Sequence, residues 1–394
     1  MKEKVIVFAE RILPSTQVFI PTEVENLRGF SPIYAGLTPA SHNLQLKEKQ
    51  VLLRSDRKVL SKISREMYRW TGIAPAYHRT LKAQGAKLIH AHFAEGGPAA
   101  LFLSKRLRLP MLLHLRGGAE LMSERNLWSH WFEWPYLAYR AQIWKRASMF
   151  LCASEYVRSE ALKGGFPYDK LQVHYTGIDR EVFQPRLPVR EKDPNLVLFI
   201  GRLIPYKGCE FLIRAMQLVQ RVRPQARLVL IGDGSSRAGL QHLSDSLNAR
   251  CEFLGELKQP DVRTWLDRAR VFCAPSVTMP DGESEAFGMV FIEAQAMGVP
   301  AVGSRHGGIP ETMIEGKTGF LAEERDVEGL ARHIIRFLAD DDLWISARAE
   351  GMRWVNEHFD NATQVSKLEH TYVEAIKRFR GDRFEQSMKG VCNA

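Results

Sequence analysis

Short apolar runs recur along the second half of the chain at intervals that predict alternating strands and helices. Segments with helical spacing, such as 210–222, lie between these runs. The runs begin 31, 24, 20 and 29 residues apart, at Leu196–Ile200, Arg227–Ile231, Cys251–Leu254, Val271–Ala274 and Pro300–Val302. Because parallel strands need crossovers of this length, the pattern predicts a parallel sheet with helices on both faces.

The first half repeats this pattern less regularly and predicts a second α/β domain. Its expected strands are Lys4–Phe8, Ser31–Gly36, Lys87–Ala91, Pro110–Leu115, Ser148–Ala153 and Leu171–Tyr175. We therefore expect domains at 1–190 and 191–394, joined through the proline-rich segment 185–194. The segment from about 343 to 380 is expected to form helices. Ligands of such sheets collect at the carboxyl ends of the strands, so a site is expected in a cleft where the domains face each other.

Composition excludes several classes of protein. Apolar residues make up 45% and charged residues 25%, which is typical of a globular chain and excludes a disordered or collagen-like one. The five cysteines have no metal-ligand or redox spacing, which predicts a reduced, cytoplasmic protein. No apolar stretch approaches the roughly 18 residues of a membrane span, so any membrane contact is expected to be peripheral.

The positive charge is concentrated in the first half. Residues 1–195 hold 30 Lys and Arg against 18 Asp and Glu, and the remainder holds 25 against 27, which together give the net +10. Residues 51–150 alone hold 17 against 6. This charge favours an anionic partner.

Aromatic and basic residues are interleaved in the same region. A helical stripe is predicted within 56–70, and tryptophans and tyrosines alternate with cations along 128–146. Two interpretations remain open: an interfacial surface on anionic lipid at the inner face of the plasma membrane, or ordinary core packing. Nucleic-acid binding by stacked aromatics is a weaker alternative, since it leaves the chemistry of the second half unexplained.

The first chemical motif follows the strand at 196–200. Gly201 permits a close backbone approach, and Arg202 and Lys207 place two cations before the helix that opens after Gly208. A diphosphate would be neutralised there by the side chains and the helix dipole. The alternative is that both cations are solvated surface residues. A G-x-x-x-x-G-K-[ST] phosphate loop is not present.

The second motif pairs two carboxylates around a helix start. Glu285 lies in the loop before a predicted helix, and Glu293 lies within that helix. The amides of Gly288 and Met289 are free at its first turn. Carboxylates beside an anion site are expected only where hydroxyl groups match them, and sugars supply hydroxyls. The alternative is that Glu293 is an ordinary helical surface residue and Glu285 a loop charge.

Taken together, the motifs resemble one enzyme family. In order they are Gly201-Arg202-Leu203-x3-Lys207-Gly208, Ile231-Gly232-Asp233-Gly234, Glu285-x7-Glu293 and Gly307-Gly308-Ile309-Pro310-Glu311. This order and spacing resembles the retaining nucleotide-sugar glycosyltransferases of family 4, which have the GT-B fold of two Rossmann-like domains facing across a cleft. Their C-terminal helices pack back towards the first domain. The likeness runs from about residue 177 to about 320.

The resemblance implies a role for each matching residue of the second domain. Arg202 and Lys207, beside Gly201, would hold the donor diphosphate. Glu285 would accept hydrogen bonds from the transferred sugar, and Glu293 from the ribose. Three loop residues would present backbone to sugar and phosphate, and one further residue would border the base: Phe287, Gly288 and Met289, and Leu257.

The first domain matches less fully. Thr16 in a serine-rich loop and His92 at a strand end resemble acceptor-side residues of exopolysaccharide and lipopolysaccharide members. Where relatives carry His-Gly-x-Asp, this chain reads His114-Leu115-Arg116-Gly117. Either His114 or Arg116 therefore occupies the catalytic position, and a purely structural histidine is the alternative for His114 and His92.

The resemblance implies a retaining hexosyltransferase. Because Arg202 and Lys207 can supply the phosphate charge, and no Asp-x-Asp lies where a metal-dependent sugar transferase would hold its ion, the sequence predicts that the enzyme needs neither a metal ion nor a cofactor. It would move a sugar from a nucleotide diphosphate to a glycan or lipid-linked acceptor in bacterial surface polysaccharide synthesis. Asp340-Asp341-Asp342 lies between predicted helices and is interpreted as a solvated cap, not a metal site. An epimerase of the same fold is the main alternative. A nicotinamide enzyme is disfavoured because Gly232-Asp233-Gly234 lacks the last glycine of the dinucleotide motif.

Overall fold

A computed structural model describes residues 2–12, 17–39, 46–53, 58–118, 122 and 124–392. The chain forms two compact units. The first contains Met1–Gly177 and Asn361–Ala394, and the second contains Ile178–Asp360. Each unit is built on one parallel sheet, which confirms the predicted fold class.

The first unit is a seven-stranded sheet with the strand order β5-β3-β1-β6-β7-β8-β9, in which every pairing is parallel. A two-stranded pairing of β2 with β4 lies beside it. The strands are β1 (Glu3–Phe8), β2 (Arg11–Ile12), β3 (Phe30–Gly36), β4 (Thr38–Pro39), β5 (Gln50–Leu52), β6 (Leu88–His92), β7 (Met111–Leu115), β8 (Met149–Cys152) and β9 (Leu171–Val173). The helices are α1 (Phe19–Val24), α2 (Lys58–Thr71), α3 (Pro75–Lys82), α4 (Gly97–Leu107), α5 (Glu124–Ser129), α6 (Trp134–Arg146) and α7 (Glu155–Lys163).

The second unit is a six-stranded parallel sheet with the order β12-β11-β10-β13-β14-β15. Its strands are β10 (Leu196–Ile200), β11 (Arg227–Ile231), β12 (Cys251–Gly255), β13 (Val271–Ala274), β14 (Ala301–Ser304) and β15 (Gly319–Ala322). Its helices are α8 (Cys209–Val222), α9 (Arg237–Ser246), α10 (Gln259–Arg268), α11 (Met289–Ala296), α12 (Val327–Ala339) and α13 (Asp341–His358). The central strands β10, β13 and β14 are almost wholly buried, as expected where helices cover both faces.

The last helix, α14 (Asn361–Cys392), belongs to the first unit. Its buried side chains join the core beneath β1 and α1; they are Val365, Leu368, Tyr372, Ala375 and Ile376. This return of the chain to the first domain agrees with the architecture that the family resemblance implies. Asp340 caps α13, since its carboxylate accepts from the backbone N–H of Leu343 at 2.9 Å.

The boundaries of the units differ from the predicted 1–190 and 191–394. The first boundary lies at Gly177, because the segment that follows packs on the second unit. There the backbone N–H groups of Arg186 and Leu187 donate to the carboxylate of Asp267 at 2.9 and 3.0 Å. The second difference is the return of residues 361–394 to the first unit. Among the described helices, none combines the length and apolar character needed to cross a membrane.

Candidate active site

In the second unit, three neighbouring strands end in loops that carry predicted site residues. Arg202 and Lys207 follow β10, Glu285 lies in the loop after β13, and Gly307 follows β14. These strands are adjacent and parallel, so their carboxyl ends lie at one edge of the sheet. Leu257 follows β12 at the end of the same sheet. The fold thus collects the donor motifs from distant parts of the sequence at this edge.

Lys207 and Glu285 form an ion pair between Nζ and Oε2. Their side chains are only 15% and 14% exposed, so solvent screens the pair weakly. Burial lowers the pKa of Lys207, but Glu285 and Tyr206 outweigh this effect and raise the pKa above its ordinary value. Lys207 is therefore a fixed cation, and its counter-ion, Glu285, is one of the two predicted carboxylates.

Tyr206 connects the two cations of the first motif. The Arg202 guanidinium donates to its hydroxyl at 3.3 Å, and the Arg202 Cζ lies 6.0 Å from the ring centroid. The Nζ of Lys207 lies 4.9 Å from the same centroid. Both distances permit a cation–π attraction. Sequence reasoning missed Tyr206, although an aromatic residue between two cations is a usable signal.

Gly307 and His306 hold the backbone of Glu285 in place. A Cβ on Gly307 would lie 2.1 Å from the Glu285 carbonyl oxygen, and its φ is +54°. The N–H of Glu285 donates to Nε2 of the buried His306 at 3.0 Å. The other nitrogen, Nδ1, faces Oε1 of Glu324 at 3.0 Å. His306 therefore positions the carboxylate loop; its place just before the two glycines is the only sequence signal for it.

Glu293 lies on α11, which begins directly after Gly288. Gly288 adopts a φ of +93° at the N-cap, and Met289 is the first helical residue. Burial raises the pKa of Glu293 to about 7. Within the described residues its carboxylate has no hydrogen-bond partner. Glu293 is part-buried, and a part-buried carboxylate without a cation partner is incompletely solvated and suits hydroxyl donors from a ligand.

The remaining loop residue, Phe287, is buried, and its ring centroid lies 5.5 Å from that of Phe359. Its side chain thus anchors the loop, and its backbone lies between Glu285 and Gly288. The second unit accordingly brings Gly201, Arg202, Lys207 and the loop from 285 to 289 to one sheet edge. These assignments as ligand-binding residues stay predictions.

In the first unit, His92 and His114 are register partners on adjacent strands β6 and β7, so their side chains project from the same face. His90 lies two residues before His92 and shares that face. All three are buried, and burial lowers the pKa of His90 to about 3 and those of His92 and His114 well below the ordinary value. The three imidazoles are therefore neutral at physiological pH.

Arg116 follows β7, and each of its three guanidinium nitrogens donates a hydrogen bond to a side chain. Its Nε donates to Nδ1 of His92 at 3.2 Å, one Nη to Thr176 at 2.6 Å and the other to Glu23 at 2.8 Å. Burial raises the pKa of Glu23, but Arg116 and then His174 outweigh it, and the net pKa is lowered. The guanidinium and the carboxylate thus form a neutral pair inside this unit.

The three histidines also have a spacing that a metal ion could use. One ring nitrogen of each lies within 4.8 Å of the others. Both nitrogens of His90 and the Nδ1 of His92 are already hydrogen-bonded, and the Arg116 cation contacts the His92 ring. A metal ion would have to break these bonds beside a fixed positive charge, so the donor set fits a hydrogen-bond network better.

Sequence reasoning missed several members of this network. Glu23, His174 and Tyr372 carry no motif, and each comes from a different part of the chain. The pairing of Tyr372 with His90 depends on the return of α14, which no local pattern reveals. Thr16, the other acceptor-side residue of the prediction, lies outside the described residues.

Comparison with known proteins decides the family. The profile described as "Glycosyltransferase Family 4" matches residues 32–182, and the profile "Glycosyl transferases group 1" matches residues 182–352. Between them they span most of both units. The chain belongs to glycosyltransferase family 4. The resemblance in the motifs is thereby confirmed, and the protein is a glycosyltransferase.

Relatives of this family 4 glycosyltransferase include a GDP-mannose-dependent phosphatidylinositol monomannoside mannosyltransferase of Mycolicibacterium smegmatis. The two are 29% identical over 58% of this chain and 62% of the relative. The amylovoran biosynthesis glycosyltransferase AmsK of Erwinia amylovora is 28% identical over 61% of this chain and 59% of its own. The match thus spans about three fifths of each of these two relatives.

The fold of this family 4 glycosyltransferase is found in solved structures. The crystal structure of Anabaena HepE in complex with UDP and glucose superposes with a TM-score of 0.74, at 19% identity, over 94% of this chain and 99% of that one. A sucrose-phosphate synthase of Thermosynechococcus elongatus gives the same TM-score over 96% and 100% at 21% identity. At these identities the likeness establishes the GT-B fold.

Proposed function

We propose that this glycosyltransferase moves a hexose from a nucleotide-diphosphate sugar to a glycan or lipid-linked acceptor of a bacterial surface polysaccharide, with retention of configuration. The donor would bind to the second unit. The acceptor would bind to the first, where Thr16 and His92 are the predicted contacts. The observation that carries this proposal is the group of charged side chains at the carboxyl edge of the second sheet, where Lys207 and Glu285 form an ion pair and Glu293 has no partner among the described residues.

The Lys207–Glu285 pair suits a ligand with both phosphate and hydroxyl groups. When a diphosphate arrives, Arg202 and Lys207 would donate charge-assisted hydrogen bonds to its oxygens. Glu285 would then exchange part of its contact with Lys207 for hydroxyls of the transferred sugar. Glu293, which has no partner among the described residues, would accept from the ribose. A nucleotide sugar satisfies all four side chains at once.

The identity of the donor is proposed only as a class. The mycolicibacterial relative is named as dependent on GDP-mannose, whereas HepE was solved with UDP and glucose. By the family resemblance, the backbone around Leu257 would border the base, and side chains would specify the base only weakly. We therefore propose that the diphosphate and the sugar hydroxyls, more than the base, determine binding strength.

The chemistry that fits this site is a front-face transfer in which a donor phosphate oxygen takes the acceptor proton. The protein would then supply position and charge stabilisation for an oxocarbenium-like state and the departing diphosphate. Catalytic roles for Glu285, and for His114 or Arg116 in the first unit, are part of this proposal. We further propose that no metal ion or other cofactor is needed, because Arg202 and Lys207 supply the phosphate charge.

A panel of nucleotide sugars tests the proposal. The true donor should raise the melting temperature, since it binds only the folded form. It should then yield an α-linked product from an α-linked donor, as read by the anomeric coupling in proton NMR. Inversion of the anomeric centre would overturn retention. Loss of activity in a chelator with recovery in manganese would overturn metal independence, and donor turnover without an acceptor would favour the epimerase.

Peripheral contact with an anionic membrane is a further part of the proposal. Large apolar side chains are exposed in the first unit at the end of α2 and in the segment 128–134; they are Met67, Trp70, Ile73, Trp128, Trp131 and Trp134. The two stretches touch, since the Arg69 guanidinium donates to the carbonyl of Phe132. Exposed aromatics beside the basic excess of residues 51–150 suit the interface of an anionic phospholipid bilayer.

Vesicle co-sedimentation tests this contact. The double variant Trp128→Ser/Trp131→Ser should lose most binding to vesicles that contain phosphatidylglycerol. The matched control Val222→Ser/Ile345→Ser removes two equally exposed apolar residues from the second unit and should bind normally. Equal loss in both variants, or binding that ignores lipid charge, would contradict the proposal.

A further inference from the structure

The loop after β15 is tied to the loop that carries Glu285. Glu324 follows β15, and its carboxylate accepts two hydrogen bonds from Thr278 in the loop after β13. Oε2 accepts from the backbone N–H at 2.7 Å, and Oε1 accepts from the hydroxyl at 2.8 Å. Oε1 also lies 3.0 Å from Nδ1 of His306, in the loop after β14. Because β13, β14 and β15 are neighbours in the sheet, one carboxylate joins three adjacent loops.

Glu324 carries a negative charge in this position. Burial raises the pKa of its carboxyl group, but the hydrogen bonds from Thr278 and His306 outweigh burial and lower the pKa below its ordinary value. An ionised carboxylate accepts hydrogen bonds and donates none. In each of these contacts the proton therefore belongs to the partner of Glu324.

The proton of His306 has one place in this arrangement. A backbone N–H only donates, so Nε2 of His306 accepts from Glu285 at 3.0 Å. A ring that accepts at Nε2 is neutral and carries its proton on Nδ1, and from there it donates to Glu324. The Thr278 hydroxyl also lies 3.1 Å from Nδ1, but its own proton points to Glu324, so it too meets the ring as an acceptor. Both contacts of Nδ1 thus require the same tautomer.

The backbone beside Glu324 is strained. Arg325 has a φ of +66°, in the left-handed region that residues other than glycine rarely adopt. Its guanidinium donates to the carbonyl of Thr278 at 2.7 Å and to Oε2 of Glu324 at 3.3 Å. Such strain persists where surrounding contacts fix it, and it clusters at functional regions. Glu324 and Arg325 therefore both hold the loop after β13.

We propose that Glu324 is a positioning residue for Glu285, the predicted sugar-binding carboxylate. Glu324 fixes the orientation and the tautomer of the His306 ring, and the ring holds the backbone N–H of Glu285. Without the carboxylate of Glu324 the ring is free to turn, and the backbone of Glu285 is released. The effect on transfer rests on the proposed function, whereas the effect on the loop does not.

Hydrogen exchange of the Glu285 amide, followed by NMR on the full-length protein, tests the effect on the loop. In Glu324→Ala the His306 ring loses its charged acceptor, so exchange of this amide should be about 10-fold faster or more. His306→Phe removes the acceptor of the amide and should accelerate exchange at least as much. The strands β10 and β13 should keep their protection in both variants, because neither strand contains a residue of this network.

The matched control is Glu323→Ala. Glu323 precedes Glu324 in the same loop, but its carboxylate pairs with the exposed Arg305 at 3.1 Å. Exposed ion pairs contribute little, so the Glu285 amide should exchange at the wild-type rate. Three results would overturn the proposal: wild-type exchange in Glu324→Ala, equal acceleration in Glu323→Ala, or acceleration in Glu324→Ala that extends equally to β10 and β13.

The tautomer is tested in the wild type by long-range proton–nitrogen NMR with ¹⁵N-histidine. The His306 signal is assigned from its absence in His306→Phe. We expect the proton on Nδ1. A proton on Nε2 would overturn the proposal, because the ring could not then accept from the Glu285 amide.

Kinetics test the effect on transfer separately. Glu324→Ala should lower kcat about 10-fold, because a small displacement of a group at the reaction centre can cost this much or more. KM for the donor should stay nearly unchanged, since Arg202 and Lys207 still hold the diphosphate. If Glu324 acts only through Glu285, Glu285→Ala/Glu324→Ala should transfer sugar at the rate of Glu285→Ala alone.

A further 10-fold loss in the double variant would overturn the role in positioning Glu285, because Glu324 would then act independently of it. An unchanged kcat in Glu324→Ala with accelerated exchange of the Glu285 amide would overturn the effect on transfer. If the wild type transfers no sugar at all, the proposed function fails, while hydrogen exchange and the tautomer still decide whether Glu324 holds the loop.

Discussion

At the scale of single residues, the ion pair between Lys207 and Glu285 joins the residue predicted to bind phosphate to the residue predicted to bind the sugar. Each partner neutralises the other in the protein without ligand. Removing the acid should therefore leave a cation free for phosphate, whereas removing the cation leaves a poorly solvated acid. The two substitutions should consequently differ in sign for nucleotide binding.

We expect Glu285→Ala to lower the rate of transfer by about 100-fold or more, while the affinity for the nucleotide diphosphate is unchanged or improved. Lys207→Ala and Arg202→Ala should weaken nucleotide affinity by about 10- to 100-fold, which corresponds to one charge-assisted hydrogen bond. Isothermal titration calorimetry and initial rates measure both. Arg227→Ala, at the opposite end of β11, is the control. An equal loss of nucleotide affinity in all three site variants would refute the division of roles.

Glu293 gives a prediction about pH. Its pKa in the native state, about 7, lies above the value of about 4.5 for an ordinary glutamate. The native state therefore holds the proton more tightly than the unfolded state, and stability decreases as pH rises from 4.5 through 7. Glu293→Gln removes this penalty, so the free energy of unfolding at pH 8 should rise by about 1 to 3 kcal/mol.

Urea denaturation at pH 4.5 and pH 8 checks this prediction. The gain should appear at pH 8 and vanish at pH 4.5. The control is Glu357→Gln, an exposed glutamate on α13, which should change stability little at either pH. A gain of the same size at both pH values would mean that buried charge is not its cause.

At the scale of elements, the loop after β14 supports the loop after β13. Gly307 has a φ of +54°, and a Cβ there would lie 2.1 Å from the Glu285 carbonyl oxygen. Gly307→Ala should thus displace Glu285 and lower the rate of transfer about 10-fold or more. Gly316 has a similar φ of +79° with open space around it. Gly316→Ala should cost about 1 kcal/mol of stability at normal activity, and equal activities of the two variants would contradict the contact.

The strands could be predicted where they are long and buried on both faces. The runs at 196–200 and 227–231 were predicted to the residue, because aliphatic residues there fill consecutive positions. The edge strand β5 and the pair β2 and β4 were missed, since two or three residues carry no periodic pattern. β15 was also missed, because its four residues are too few to show a periodic pattern after the turn that precedes them.

The candidate site was predictable where its residues lie in contiguous motifs. Arg202, Lys207 and Glu285 could be proposed together because a diphosphate and a sugar need such groups. The partners that position them could not. His306 belongs to no recognisable motif. Glu23 and Tyr372 act through contacts that form only in the folded chain. Sequence therefore indicated the chemistry of the site but not the network that fixes its geometry.

At the scale of the whole molecule, the chain leaves the first unit at Gly177 and returns to it at Asn361. One domain boundary was predicted near residue 190, because the proline-rich segment looked like a linker. No pattern in α14 shows where it packs, and only the family resemblance indicated that the C-terminal helices return towards the first domain. The consequence is that a side chain near the carboxyl end belongs to the core of the first strands. Leu368 on α14 is fully buried in that core.

Leu368→Ala should therefore destabilise the first unit, by about 2 to 5 kcal/mol for a buried leucine. Hydrogen exchange followed by mass spectrometry should show faster exchange in β1 and β3 and unchanged protection in β10 and β13. The matched variant Leu330→Ala, which empties an equally buried position on α12 of the second unit, should give the opposite pattern. If both variants accelerated exchange equally in all four strands, the two units would unfold cooperatively as one. Each cavity would then destabilise the entire chain, which would contradict the prediction.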